Sequence, residues 1–543
     1  MCGIAGVIGP RGDAALAERL AALLRHRGPD GAGTLVTERA TLVQTRLALV
    51  DPRPHALPWS DGRFTLLFNG EIYNHRELRR ELTGFPFSTE TDTEVAFAAL
   101  RRWGSAALSR FEGMFALFFW DEATGEYLAA VDPLGVKPFV YHEGPGVFAF
   151  CSEAGPLIEA GVVPFRPSEE GVAEHLTAPY FALCPFANLK RLPGGHYLTA
   201  RGLMPYRCVA RNEDLLEALR RSVRTSTPAG LFLSGGVDSS LLAALAEPGL
   251  PAFTIDYGAM DYADSLIVKS DDVPYAKQVA AATGHPLTLV STADYGEALQ
   301  RTLGANDQIA AWEQEVSQYL LAEAAHRQRC KAVLVGDAAD ETHYGYGFLL
   351  DPARIVSPRP LLDFFGYLPL RRMDAAGHFT EKYEAEAVAA GHSWETPGGH
   401  LRAVSYLIRQ RWLARLLHNG DLQLMAHSVE GRVPFADPTV LALADGATPE
   451  EALGKRLLRT VAAGVLPEAI AWRPKSALTK NLAGRETVHR LFRAAWAERG
   501  ELLAPYVDAD FVEAMGPPQD DRETGLRFRL LATLTWFTRW ESI

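Results

Sequence analysis

The sequence predicts two domains in series, an α+β domain followed by an α/β domain whose last part is helical. The chain has 543 residues, more than one hydrophobic core normally serves. About the first two hundred mix short strands, hairpin turns and a few helices, which is the pattern of an α+β domain. Further on, apolar strands alternate with helices in βαβαβαβ order, the pattern of a parallel doubly wound sheet.

In the first half, strands are expected at 35–36, 42–44, 64–68, 114–120, 127–131, 138–141 and 147–150, with turn clusters at 121–125 and 143–146. Helical spacing covers 14–24, 75–82 and 92–103, the last opening on Thr91-Asp92-Thr93-Glu94 as a cap. The character changes near 207–214, which gives domains 1–206 and 207–543. In the second half strands are expected at 230–233, 252–256, 287–290 and 331–335, and helices at 239–246, 273–283 and 313–329. Ligands of such a sheet sit at the C-terminal strand ends, where the loops at 234–240 and 336–341 fall. Beyond 350 the pattern is mostly helical, and the polar stretch 264–272 is expected to be a loop over the nucleotide site.

Composition excludes several classes. Hydrophobic residues at 48% and charged residues at 22% are globular values. A net charge of −12 argues against a nucleic-acid partner. Cys2, Cys151, Cys184, Cys208 and Cys330 form no Cys-x-x-Cys pair, so neither a disulfide framework nor a zinc site is implied, and a reducing cytoplasm suits them. The N-terminus lacks a basic region and a long apolar core, and the longest apolar run, 114–120, is too short to span a bilayer. A soluble cytoplasmic protein with no membrane partner is expected.

The stretch Leu231-Phe-Leu-Ser-Gly-Gly-Val-Asp-Ser-Ser240 reads as a buried strand, a glycine-rich cradle and a helix start. Gly235 and Gly236 let backbone N–H groups approach an anion, and the helix aims its positive end at the same place. The Gly-Lys-Ser/Thr of a Walker loop is absent. The string resembles the PP-loop of ATP pyrophosphatases, whose backbone holds the leaving phosphates while a carboxylate attacks the α-phosphate. For Gly-Gly alone, an ordinary serine-capped turn is the plain alternative.

With the initiator methionine removed, Cys2 would be residue one. A thiol beside a free α-amine has a base at hand, since the amine titrates near ~8 and the thiol near ~8.5. Alone, a second-position cysteine is usually just a small residue. Its surroundings carry more. Cys2-Gly-Ile-Ala-Gly6, Arg25-His-Arg-Gly-Pro-Asp30, Arg46-Leu-Ala-Leu-Val-Asp51, Asn69-Gly-Glu-Ile-Tyr-Asn74, Thr91-Asp-Thr-Glu94 and Asp132-Pro-Leu-Gly-Val-Lys-Pro138 together resemble class II glutamine amidotransferase domains. That resemblance implies an αββα sandwich of the N-terminal nucleophile (Ntn) type. It also implies that Arg46 binds the glutamine carboxylate, that Glu71 and Asp92 hold its amino end, and that Asn69 with the Gly70 N–H forms the oxyanion hole for attack by Cys2. His55-Ala-Leu-Pro-Trp59 replaces the family's Gly-Ala-Gln-Pro-Leu, so packing beside the glutamine site is expected to differ.

In the second half, Ser234–Ser240, Gly336-Asp-Ala-Ala-Asp-Glu-Thr-His-Tyr-Gly-Tyr346, Met425-Ala-His-Ser-Val-Glu-Gly-Arg-Val-Pro-Phe435 and Trp472-Arg-Pro-Lys475 resemble the synthetase domain of glutamine-hydrolysing asparagine synthetases. The resemblance implies glutamine, ATP and aspartate as small-molecule substrates. It places the triphosphate on Ser234, Gly235, Gly236 and Ser239, the adenosine near Leu233, Ile255 and Gly336, and Tyr346 in the same ATP site. Asp238 and Asp340 are candidates to hold Mg²⁺, Lys475 to stabilise pyrophosphate, and Asp337 to act as base on the attacking ammonia. Asp337 stands where the family carries glutamate, and Leu422, after Asp421, where relatives carry a basic residue. Both departures bear on the acceptor, so another carboxylate, in natural-product or cell-envelope biosynthesis, is the alternative to aspartate. A non-catalytic glutamine- or nucleotide-binding regulator is the third reading, and the intact set Cys2, Arg46, Asn69, Gly70 and Asp92 speaks against it. The oligomeric state stays open, a homodimer included.

Overall fold

The computed structural model describes residues 2–9, 11–258, 271–346, 357–363, 366, 368–371, 373–475 and 482–542. Of the expected loop at 264–272, only Asp271 and Asp272 lie among these.

The first half is built on two six-stranded antiparallel sheets. In one, Cys2–Ile8 lies between Val147–Cys151 and Ala40–Arg46; in the other, Phe64–Ile72 pairs with Gly113–Asp121 along its whole length. Alternation along the strands sends Ile4, Leu42, Leu67, Phe118 and Phe150 into the space between the sheets, where the Phe118 and Phe150 rings lie 4.1 Å apart. The outer faces are covered by helices, Ala14–Leu23 over the first sheet and His75–Glu81 with Asp92–Trp103 over the second. The strand Cys2–Ile8 is not legible in the sequence because Gly3 and Gly6 weaken the strand signal. Packing requires them: a Cβ on Gly6 would lie 2.5 Å from the Phe150 ring.

The second half carries a five-stranded parallel sheet in the order Leu287–Ser291, Ala252–Asp256, Gly230–Phe232, Ala332–Leu334, Glu430–Arg432. The first four strands stand where alternation predicts them. The fifth is three residues long, starts and ends on a charge, and falls in a region expected to be mostly helical. Helices dominate the remainder. Pro397–Leu407 continues through a π-helical turn, Ile408–Leu413, into Ala414–Met425, and Leu482–Arg499 packs on Asp521–Glu541. One continuous core runs from Val43 and Ala149 to Leu530 and Trp540, so the halves are fused rather than tethered. No helix among the described residues is long and apolar enough to cross a membrane.

Candidate active sites

Strand pairing assembles the first site. Cys2 opens its strand directly opposite Arg46, and the Cys2 N–H donates to Asn69 Oδ1 at 3.1 Å. Asn69 is fully buried, and its Nδ2 has no hydrogen-bond partner among the described residues. An unpaired buried amide donor beside a thiol is the feature an oxyanion hole needs. Gly70 follows because nothing larger fits, since a Cβ there would lie 2.1 Å from the Met114 carbonyl oxygen. Asp92 starts its helix and accepts the N–H groups of Ile72 at 3.0 Å and Thr93 at 2.9 Å. The Arg46 guanidinium donates to the carbonyls of Asp51 and Arg53, which fixes its direction. Burial pushes the Cys2 thiol above its ordinary value, and Asp92 and Glu430 add repulsion.

Two placements sharpen the expectations. Glu71 lies beside this site, but its carboxylate is taken up by Arg432 of the second half in an ion pair inaccessible to solvent on the arginine side. The departing segment packs on the Asp92 helix: the His55 and Trp59 rings lie 6.0 Å apart, and Trp59 meets Phe97 at 6.5 Å.

A cavity of about 440 Å³ lies at the C-terminal ends of the parallel strands. That size holds a drug-sized ligand. Leu233, Ser234, Gly236, Asp238, Ser239, Ile255, Gly336, Asp337, Asp340, Tyr346 and Lys475 all line it. Gly235 does not line it but shapes it: its φ is +71°, and a Cβ would lie 2.6 Å from the Ala276 nitrogen. The Ser234 N–H donates to Ser239 Oγ at 3.1 Å and the Gly236 N–H to Ser234 Oγ at 3.3 Å, closing the loop on itself. Leu422, by contrast, is buried and absent from the lining.

Charge in this cavity is arranged around Asp340. Lys475 Nζ lies 2.5 Å from one of its carboxylate oxygens and Lys455 Nζ 2.6 Å from the other, while Lys455 also reaches Asp238 at 2.5 Å. Burial acts to raise Asp340, but the two lysines pull it well below the usual carboxylate range. Among the described residues Asp337 has no such partner, and burial and the Asp340 charge push it up to about 6. Ala338, next to it, holds a left-handed φ of +73°, a strained setting for a residue with a side chain. Lys455, Gln318 and Tyr180 line the cavity too and carry no sequence motif that marks them, while Arg473 lines it from within the Trp472–Lys475 string. Tyr180 comes from the first half and stacks on Trp412 at 4.9 Å.

One helix joins the two sites. Arg27 is completely buried and donates to the Cys2 carbonyl at 3.3 Å and to Asp421 on helix Ala414–Met425 at 2.7 Å. Neighbouring Gly420 faces the other way, where a Cβ would stand 3.5 Å from Asp337 Oδ2. The helix is therefore the partition between a thiol site and an acid-lined cavity.

Comparison with known proteins agrees with this division. Residues 1–204 match the glutamine amidotransferase domain family and residues 211–542 the asparagine synthase family. A Mycobacterium tuberculosis protein provisionally named a glutamine-hydrolysing asparagine synthetase is 30% identical, over 88% of this chain and 87% of its own. Glutamine-hydrolysing asparagine synthetase 1 of Bacillus subtilis is 27% identical over 88% and 86%. Glutamine-hydrolysing asparagine synthetase 2 of Oryza sativa is 27% identical over 90% and 76%. The chain belongs to the glutamine-hydrolysing asparagine synthetase family.

Proposed function

We propose that the protein is a glutamine-dependent asparagine synthetase in which an Ntn-type αββα glutaminase, 1–206, feeds ammonia to a PP-loop synthetase, 207–543. Glutamine, aspartate, ATP and water give glutamate, asparagine, AMP and pyrophosphate. The observation that carries the reading is the pairing, inside one core, of a thiol with an unpartnered amide donor and a phosphate-type cavity lined by acids and lysines.

In the first site the Cys2 thiolate attacks the glutamine side-chain amide, with Asn69 Nδ2 and the Gly70 N–H receiving the oxyanion. Arg46 takes the carboxylate of glutamine, and Asp92 with Glu71 its ammonium. Collapse of the tetrahedral adduct expels ammonia, and water then cleaves the γ-glutamyl thioester. In the second site the side-chain carboxylate of aspartate attacks the α-phosphate of ATP held on the Ser234–Ser239 loop, and pyrophosphate leaves toward Lys475. Ammonia attacks the acyl carbon, Asp337 accepts the surplus proton, and AMP departs.

The chain also offers a place for Mg²⁺. Asp238 Oδ1 is a buried acceptor with no hydrogen-bond partner among the described residues, close to Asp340 through their shared Lys455. No group of three or more His, Cys, Asp or Glu suited to a metal exists among the described residues. Two carboxylates completed by water and phosphate oxygens suit Mg²⁺. Asp238 and Asp340 would hold it, and it would offset the charge of the triphosphate.

The test is pyrophosphate release across a panel of carboxylates with ammonia supplied directly. Aspartate alone should respond. Release driven by another carboxylate and not by aspartate would reassign the acceptor.

A further inference from the structure

One motif of the synthetase half reaches into the other site. Strand Glu430–Arg432 pairs in parallel with Ala332–Leu334, the strand that leads to Gly336 and Asp337, and the Val335 N–H donates to the Arg432 carbonyl at 2.9 Å. Its backbone thus belongs to the adenylating sheet. Its side chains do not.

We propose that Arg432 is a positioning residue of the glutamine site, supplied by the opposite domain, and that it fixes Glu71 so that the Glu71 and Asp92 carboxylates face the α-ammonium of glutamine. The proposal rests on the glutaminase reading of the first half. Arg432 is completely buried, and its guanidinium is enclosed on every side. It donates through Nη2 to Glu71 and through Nη1 to the Ser226 carbonyl, while Nε faces the Glu430 carboxylate. The Tyr73 ring lies 5.8 Å from its carbon.

Strand geometry explains why this bears on glutamine. Asn69 and Glu71 are two apart on Phe64–Ile72, so their side chains share a face, and Asn69 is the residue bonded to Cys2. A buried carboxylate far from any cation takes up a proton and cannot bind an ammonium. Burial pushes Glu71 up to about 8, Glu430 and Asp92 add repulsion, and Arg432 is the largest force opposing the rise. The guanidinium therefore favours the ionised form of Glu71 and fixes the direction of its carboxylate. Its planar fork meets three partners at once, which a lysine ammonium does not reproduce.

The experiment uses the full chain with Arg432→Gln and Arg432→Lys, reading glutaminase KM and kcat, ammonia-dependent synthesis and thermal unfolding. Loss of one partner of a buried charge pair predicts a KM for glutamine raised at least about tenfold, with kcat less affected. Lysine should restore part of the affinity. Ammonia-dependent synthesis should hold, because that site is untouched. An unchanged KM in folded variants, or a parallel fall of both activities, would overturn the proposal. Should Arg432→Gln fail to fold, Arg432→Lys placed on Glu71→Gln decides: little further loss supports action through Glu71, and additive losses overturn it. A wild-type protein without glutaminase activity would instead overturn the reading of the first half, and the proposal with it.

Discussion

Replacing Asp337 by asparagine separates adenylation from amide transfer. The side chain keeps its shape and loses its ability to accept a proton. General-base assistance contributes about 10²–10⁴-fold, so amide formation should slow by that order while pyrophosphate release from ATP and aspartate persists. The wild-type pH profile follows from the same residue. Burial and the Asp340 charge hold Asp337 at about 6, so below that the base is protonated and activity at constant free ammonia should fall about tenfold per pH unit. The stability sign is opposite to that of an ion-paired acid. A raised carboxyl burdens the folded state above its folded value, and the burden lifts as pH falls through about 6. A rise from 3.8 to about 6 corresponds to at most about 3 kcal/mol at neutral pH, reduced by cavity water. Asp337→Asn should therefore resist thermal unfolding better than wild type at pH 7.5. An Asn variant that keeps amide formation within about threefold, or loses adenylation and transfer together, would remove Asp337 from the base role.

Three further outcomes are expected. Cys2→Ala should abolish glutamine-dependent synthesis and spare ammonia-dependent synthesis, since only the donor site changes; measuring both rates checks this. Lys455→Met leaves Asp238 and Asp340 facing one another without their shared cation, a loss of about 3–5 kcal/mol by the rule for broken buried pairs, to be read in denaturant unfolding with and without Mg²⁺. Gly235→Ala forces a Cβ to within 2.6 Å of the Ala276 nitrogen at a left-handed φ, so ATP-dependent pyrophosphate release should drop sharply while glutaminase activity stays.

The parts of both sites legible in the sequence are those that lie in contiguous strings. Asn69-Gly-Glu71 and Ser234–Ser239 announce themselves because backbone cradles need glycine and small hydroxyls at fixed spacing. Contacts across the fold leave no such mark. Arg432 and Glu71 are 361 residues apart, Arg27 and Asp421 are 394 apart, and Lys455 and Asp238 are 217 apart. The sequence marks Glu71 and Asp238 as site residues but not the cations that the fold sets against them. The strand Glu430–Arg432 was equally hidden, since buried charges paired across domains break the apolar pattern by which strands are recognised. Leu422 shows the converse: a departure within a motif attracts notice, yet the residue is buried and absent from the cavity lining.

The most direct measurement is product stoichiometry with glutamine carrying heavy nitrogen in its side-chain amide, together with aspartate, ATP and Mg²⁺. Labelled asparagine, glutamate, AMP and pyrophosphate should form in equal amounts, and unlabelled ammonia added outside should dilute the label little. ADP with phosphate as the products, or no asparagine from labelled glutamine, would contradict a glutaminase coupled to an adenylating synthetase.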